Sequence, residues 1–294
     1  MDGPGVKALA YRLEHLLAGR PVERLDVRAD RWQANVLLKH CAGQTVQRVY
    51  AHGRWLLWDF SHGLSWICHP LRGWRWAVEM TASSPILNQA ASGDTGSVLR
   101  PLLLRPGRRP LLRFTLATGM RVVLSGRPLL VILPTAQVWQ HPYLAGLGPD
   151  VLDAGFSPQT WAAGLHYPPR YTVAQVLLDE QLIAGIGNPT KCEILLAMRL
   201  HPATPAAMLS RAQWERIVAA ARERLVAACH AALQSGAAEA APYRVYDRAG
   251  EPCDRCGAAI RADRSGADGR WSWYCPACQA RRMERTLFSP ESGA

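Results

Sequence analysis

The sequence predicts an α+β fold: a leading helix, a β-sandwich or barrel, a helical region, and a small cysteine-bearing module built on a β-hairpin. Three observations carry that expectation. Apolar residues recur at helical spacing over 4–18, short strand-like runs separated by turn residues occupy much of 46–126, and helical spacing returns over 157–235 before two Cys-x2-Cys pairs. A chain of 294 residues exceeds the size that one hydrophobic core normally serves. The expected divisions are 1–140 for the β-rich domain, 141–240 for the helical domain, 241–281 for the cysteine module, and 282–294 for a disordered tail with no packing pattern.

The stretch PGVKALAYRLEHLLA (4–18) sets Val6, Leu9, Ala10, Leu13, Leu16 and Leu17 at helical spacing, with Pro4 suited to the first turn and Gly19 to the stop. VQRVYA and WLLWDF flank a His-Gly turn and read as paired strands, followed by LSWICH and, after Gly73, WRWAV. LLRFTLATGMRVVLSG is a further hairpin turning at Thr118-Gly119. Residues 81–110 are rich in Ser, Gly and Pro and read as a long solvated surface connection, although RPGRR within it suits DNA. TVAQVLLDEQ, PTKCEILLAMR and RAQWERIVAAARERLVAACHAAL then carry helical patterns, and QSGAAEAAP is a joint.

The formal net charge is +11, a balance that attracts phosphate backbones or anionic surfaces. The basic charge is almost all arginine, the lysines being Lys7, Lys39 and Lys191, so any role that needs a lysine amine has three candidates. No apolar run approaches the roughly 20 residues that span a bilayer. A soluble, cytoplasmic protein is expected, nucleoid-associated if bacterial.

Cys253-x2-Cys256, eighteen intervening residues and Cys275-x2-Cys278 have the spacing of a four-cysteine zinc site with each pair on a knuckle. Four sulfur ligands leave no open position for a water, so the expectation is one structural zinc. Arg264, Arg270 and Trp271 lie in the intervening hairpin, where an Arg can be set against a phosphate. Cys41, Cys68, Cys192 and Cys229 sit in apolar surroundings and read as reduced core residues.

In LLDEQLIAGIGNPTKCEILLA, Asn188 suits a helix N-cap with Pro189 directly after it, so the helix is expected to begin at 189. The free N–H groups of that N-terminus, the glycines before it and Lys191 in its first turn suit a phosphate. The glycines equally suit close packing of two helices, and both readings stand.

Taken together, these segments resemble the formamidopyrimidine-DNA glycosylase and endonuclease VIII family. LLDEQLIAGIGNPTKCEILL is similar to its helix-two-turns-helix signature, HPYLAGLGPDVLD to its interdomain joint, RVYDRAGEPCDRCGAAI with GRWSWYCPACQ to its finger, and GRWLLWDF to the strand that begins with its Gly-Lys pair. The resemblance covers nearly the whole chain, and the short joint at 234–242 with WYCPACQ leans toward the endonuclease VIII side. It implies a β-sandwich with a leading helix, a helix-two-turns-helix domain and a C-terminal zinc finger. The implied protein is a monomer that acts on double-stranded DNA carrying a damaged or abasic nucleotide, without a membrane partner. It further implies that Asn188 and Arg270 contact DNA phosphates, with Arg54, Arg72 and Lys191 placed among the DNA-binding residues. Leu71 falls near the side chain that fills the gap left by an everted nucleotide, and ordinary core packing is the other reading of that leucine.

The departures bear on chemistry. The family usually begins Met-Pro-Glu-Gly-Pro, loses Met, and attacks C1′ with the Pro amine while the Glu carboxylate handles protons. This chain begins Met-Asp-Gly-Pro, which puts Asp2 at the Glu position and Met1 at the nucleophile position. The Lys after Gly is Arg54 here, which can bind a phosphate but cannot form a Schiff base. Two readings follow: a DNA glycosylase and abasic-site lyase using the Met1 amine with Asp2, or a lesion-binding protein that has lost the chemistry.

Overall fold

The computed structural model of the chain describes residues 3–27, 40–69, 75–79, 110–117, 119–125, 129–235, 242–264 and 269–281. They divide between two compact units, the first drawn from 1–156, 180–186 and 222–242 and the second from 157–179, 187–221 and 243–294. Met1, Asp2, Leu71, Arg72, most of the 81–110 connection and the 282–294 tail lie outside the described residues.

In the first unit, helix α1 (Gly3–Leu17) buries Val6, Leu9, Ala10, Leu13, Leu16 and Leu17, the positions its spacing predicts. Gly19 follows at φ +75°. The chain then enters β1 (Arg20–Val27), followed by β2 (Thr45–His52), β3 (Trp55–Phe60), β4 (Leu64–His69), β5 (Arg75–Glu79), β6 (Pro110–Leu116), β7 (Arg121–Ser125) and β8 (Leu129–Pro134). The strands are ordered β5-β7-β6-β1-β2-β3-β4-β8, with every neighbouring pair antiparallel.

β1 makes this a sandwich. Its first residues pair with β2 (Arg20↔Val46, Pro21↔Thr45), and after a bulge between Val22 and Arg24 the rest pairs with β6 as far as Val27↔Leu112. One strand therefore serves both sheets, the bulge turning it from one to the other. The inner faces meet in aromatic rings: Trp58 of β3 stacks on Phe114 of β6 at 5.3 Å and 6°, and Trp66 of β4 lies 5.0 Å from Phe114. All three are essentially inaccessible to solvent. Cys41 and Cys68 are buried in the same core, as reduced core residues should be.

A long helix, Arg211–Ser235, contributes 222–235 to this unit. The Arg12 guanidinium of α1, 5% exposed, donates to the carbonyls of Ala232 and Leu233, the latter at 2.9 Å. Both are last-turn carbonyls that the helix cannot satisfy itself.

The second unit contains α2 (Pro158–Ala163), α3 (Val173–Leu178), α4 (Asn188–Ala197), the first part of the long helix, here α5, and a hairpin of β9 (Arg261–Asp263) and β10 (Ser272–Tyr274). Ser157 caps α2, its hydroxyl accepting from Thr160 N at 3.2 Å. Thr172 and Gln175 form a capping box on α3. No helix of the described residues is long and apolar enough to cross a membrane.

Phe114→Ala is expected to cost about 3–5 kcal/mol, because it empties the ring contact that joins the two sheets. Urea unfolding followed by tryptophan fluorescence should show the midpoint of the β-rich unit falling accordingly.

Candidate functional site

The first unit gathers three segments around the turn at Ala184-Gly185. The turn is sewn to residues 148–151 by backbone hydrogen bonds: Gly148 N to Glu180 O at 2.8 Å, Ala184 N to Pro149 O at 3.0 Å and Val151 N to Ala184 O at 3.1 Å. Gly3, at the start of α1, backs onto it so closely that a Cβ there would lie 2.6 Å from Gly185 O. Gly53, in the turn between β2 and β3, has φ +56°, and a Cβ on it would lie 2.9 Å from the Ala184 side chain. Side chains at 3 and 53 are excluded by contact, and at 53 by backbone conformation as well.

Asp150, 1% exposed, fixes the same place electrostatically. Its carboxylate accepts from Gly53 N at 3.0 Å, from Leu152 N at 2.8 Å and from Lys7 Nζ of α1 at 3.5 Å. Lys7 Nζ also donates to Asp153 at 2.9 Å. Burial lowers the pKa of the Lys7 ammonium, but Asp150 and Asp153 outweigh it, and the net shift is upward.

Arg54 follows Gly53, and its Nε donates to Glu180 Oε1 at 2.6 Å, both side chains being less than one quarter exposed. His69, at the end of β4, packs on Trp55 with ring centroids 4.7 Å apart. Burial and then the Arg54 charge hold the His69 pKa below the usual histidine range, Glu180 pulling weakly the other way. Glu180 and His69 were not singled out from the sequence. Glu180 lies 126 positions from the arginine it pairs with, and no local pattern joins them.

In the second unit, α4 begins at Asn188 with Gly187 as its N-cap, so Asn188 is the first helical residue rather than the cap expected from the sequence. Pro189 occupies the first turn, and the N–H groups of Asn188 and Thr190 have no partner within the helix. The Asn188 amide Nδ2 instead donates one hydrogen to Trp271 O at 2.9 Å, which leaves the second for another acceptor.

Lys191 departs further from expectation. It is fully buried, its ammonium donating to Ser272 Oγ at 2.7 Å and Trp271 O at 3.3 Å, so it faces the finger hairpin rather than solvent. Burial lowers its pKa, with the Cys192 thiol opposing. Glu193, two residues along and 5% exposed, takes the backbone N–H groups of Arg244, Val245 and Tyr246 on one oxygen at 2.9–3.1 Å. Arg270 is exposed two residues before the returning strand begins at Ser272.

The four cysteines of the finger bring their Sγ atoms within 4.8 Å of one another. The nearest approaches are 3.5 Å for Cys256–Cys275, 3.6 Å for Cys256–Cys278 and 4.0 Å for Cys253–Cys278. Tetrahedral Zn–S bonds of about 2.3 Å place sulfurs about 3.8 Å apart, so the set fits one structural zinc. Gln279, fully buried, buttresses it by accepting from Cys275 N at 2.9 Å and donating to Leu200 O at 2.8 Å. Cys192 and Leu196 of α4 pack with Val245, Cys253, Ile260 and Cys275 beneath the cluster.

Residues 147–238 match the H2TH domain of formamidopyrimidine-DNA glycosylase, and residues 250–281 match a zinc finger found in FPG and IleRS. Together with the sandwich, these segments define a DNA-repair protein with a helix-two-turns-helix region and a finger. Endonuclease 8 of an Escherichia coli strain is 30% identical over 289 residues, spanning 95% of this chain and 99% of the relative. Endonuclease 8 of Salmonella paratyphi B is 30% identical over 290 residues with the same coverage. Among solved structures, Lactococcus lactis formamidopyrimidine-DNA glycosylase on abasic-site DNA superimposes with a TM-score of 0.74 at 19% identity, covering 96% of this chain and 100% of that one. The same enzyme with oxidised-pyrimidine DNA gives 0.75, also at 19% identity and with the same coverage. This chain belongs to the formamidopyrimidine-DNA glycosylase and endonuclease VIII family.

Cys253→Ser, or prolonged chelation of the wild-type protein, is expected to remove the zinc and unfold the finger, since such sites supply about 10 kcal/mol or more of folding free energy. Metal analysis should find one zinc in the reduced wild-type protein and little in the variant, and protease should cut the variant first within 250–281.

Proposed function

We propose that this protein is an endonuclease VIII-type DNA glycosylase and abasic-site lyase whose nucleophile is the α-amine of Met1, with Asp2 handling protons. The observation that supports the reading is the seat of Gly3, the residue that directly follows Asp2 in sequence, against Gly185 and beside Gly53 and Arg54. The Endonuclease 8 relatives, matched from end to end, support the endonuclease VIII side of the family. The solved relatives hold DNA with an abasic site or an oxidised pyrimidine, and we extend that partner class to this chain, acting as a monomer.

An α-amine has a pKa near 8 and is partly neutral at physiological pH, so it attacks without a separate base. Its nitrogen bonds to C1′ of an everted nucleotide as the C1′–base bond breaks, and Asp2 supplies the proton that the leaving group or the opening sugar needs. The resulting imine acidifies C2′, and loss of that proton expels the 3′ phosphate and cuts the strand. Arg54, held by Glu180, and Arg270 grip phosphates through guanidinium charge, and Asn188 adds its free amide hydrogen.

One feature favours the second reading, a damaged-DNA-binding protein without chemistry. Arg54 stands where the family carries a lysine, and Glu180 offsets its charge.

Borohydride should trap a covalent complex on abasic DNA with the crosslink at residue 1, and an added residue before Met1 should abolish trapping while binding survives. Asp2→Asn should slow turnover and leave affinity nearly unchanged. Protein with a verified Met1 amine that binds abasic DNA tightly yet neither traps nor cuts it establishes the binding-only reading.

Salt titrations separate the phosphate contacts. Arg270→Ala should weaken every DNA ligand similarly and flatten the log–log salt slope by about one. Asn188→Ala should weaken binding without changing the slope, because a neutral donor displaces no counterion. A change in lesion preference at constant slope would count against the Arg270 assignment.

A further inference from the structure

Trp271 is used by neither the zinc nor the buried packing of the finger. It is 45% exposed, immediately after Arg270, although the next residue, Ser272, is completely buried. Its main chain is fixed from below, the carbonyl accepting from both Asn188 Nδ2 and Lys191 Nζ while the same ammonium holds Ser272 Oγ. The Arg264 guanidinium sits 5.1 Å from the indole centroid. Arg261, Arg264 and Arg270 are all exposed on this hairpin. The result is a large, pre-positioned aromatic surface, backed by a cation and surrounded by positive charge.

We propose that Trp271 is a stacking platform for an unpaired nucleobase of the DNA strand whose phosphates Arg270 holds. This inference rests on the DNA-binding reading above and extends it to a base contact. A base within a duplex has both faces covered by its neighbours, so only an unstacked base offers a face to the indole. Fixing the carbonyl from α4 limits the ordering cost of the contact. The surrounding arginines favour a ligand whose π-face is tethered to phosphate over an uncharged apolar partner.

The test uses full-length, zinc-loaded protein and two single strands of equal length, one of deoxyadenosine and one of baseless tetrahydrofuran units on the same phosphodiester backbone. Wild type should bind the base-bearing strand roughly tenfold more tightly, within the range of one aromatic–base stack. Trp271→Ala should lose that preference while binding the baseless strand as wild type does, and Trp271→Phe should retain most of it. A 2-aminopurine in the strand should be quenched by wild type but not by Trp271→Ala. If Trp271→Ala keeps the preference, or loses affinity equally for both strands because Arg264 has shifted, the stacking role is overturned. If wild type binds neither strand nor abasic duplex, the DNA-binding reading itself fails.

Discussion

The junction of three segments in the first unit depends on how the backbone at Ala184-Gly185 is received. Its seat is made of backbone, because Gly3 and Gly53 approach to distances that no Cβ allows. Asp150 then locks the seat. It is nearly inaccessible, and a carboxylate so placed is tolerated only when its charge is met. Gly53 N, Leu152 N and the Lys7 ammonium meet it. Helix α1, the β2–β3 turn and the 148–153 segment are therefore fixed by one buried charge. Removing Lys7 would do more than delete an ion pair, since it would leave that charge without its counterion.

The second unit uses the same principle with two charges of opposite sign on one helix. Lys191 and Glu193 are neighbours on α4, both buried, and each is spent on a different stretch of chain: Lys191 on 271–272 and Glu193 on the amides of 244–246. Zinc organises the finger internally, joining its two knuckles. The α4 side chains and the Cys192–Leu196 packing hold the finger to the helix that carries Asn188. Asn188 and Arg270 come from segments about eighty residues apart, yet the hydrogen bond from Asn188 to Trp271 O ties Arg270's neighbour directly to the start of α4.

What was legible in the sequence was local. The spacing of α1, the tight hairpins and the two Cys-x2-Cys pairs each need only a few adjacent residues to declare themselves, and the structure carries them where expected. β1 was missed because its burial alternates weakly and it changes partners at a bulge, so no single face runs its length. β8, LLVILP, is a short apolar run whose periodicity separates strand from buried helix poorly. Asn188 was displaced by one position because Gly187 can itself serve as a cap. Lys191 read as a free cation because its partners lie eighty residues away. Burial of a charged group is a tertiary fact, and a first-turn lysine looks the same in sequence whether it faces water or a hairpin.

The lysines also bear on where the proposed imine would form. Lys7 is held by two carboxylates with its pKa raised, so almost none of it is the neutral amine that attacks a carbonyl carbon. Lys191 has a lowered pKa, but its nitrogen is buried and engaged with Ser272 and Trp271. Lys39 lies outside the described residues. Arg54, at the family's lysine position, carries a guanidinium, which cannot form a Schiff base. Neither described lysine combines a neutral nitrogen with access, which is why the proposed mechanism turns to the α-amine of residue 1, a group whose ordinary pKa lies near neutrality. In the proposed mechanism, an arginine bound to Glu180 in place of the lysine separates two duties, with phosphate binding assigned to position 54 and the nucleophile to residue 1.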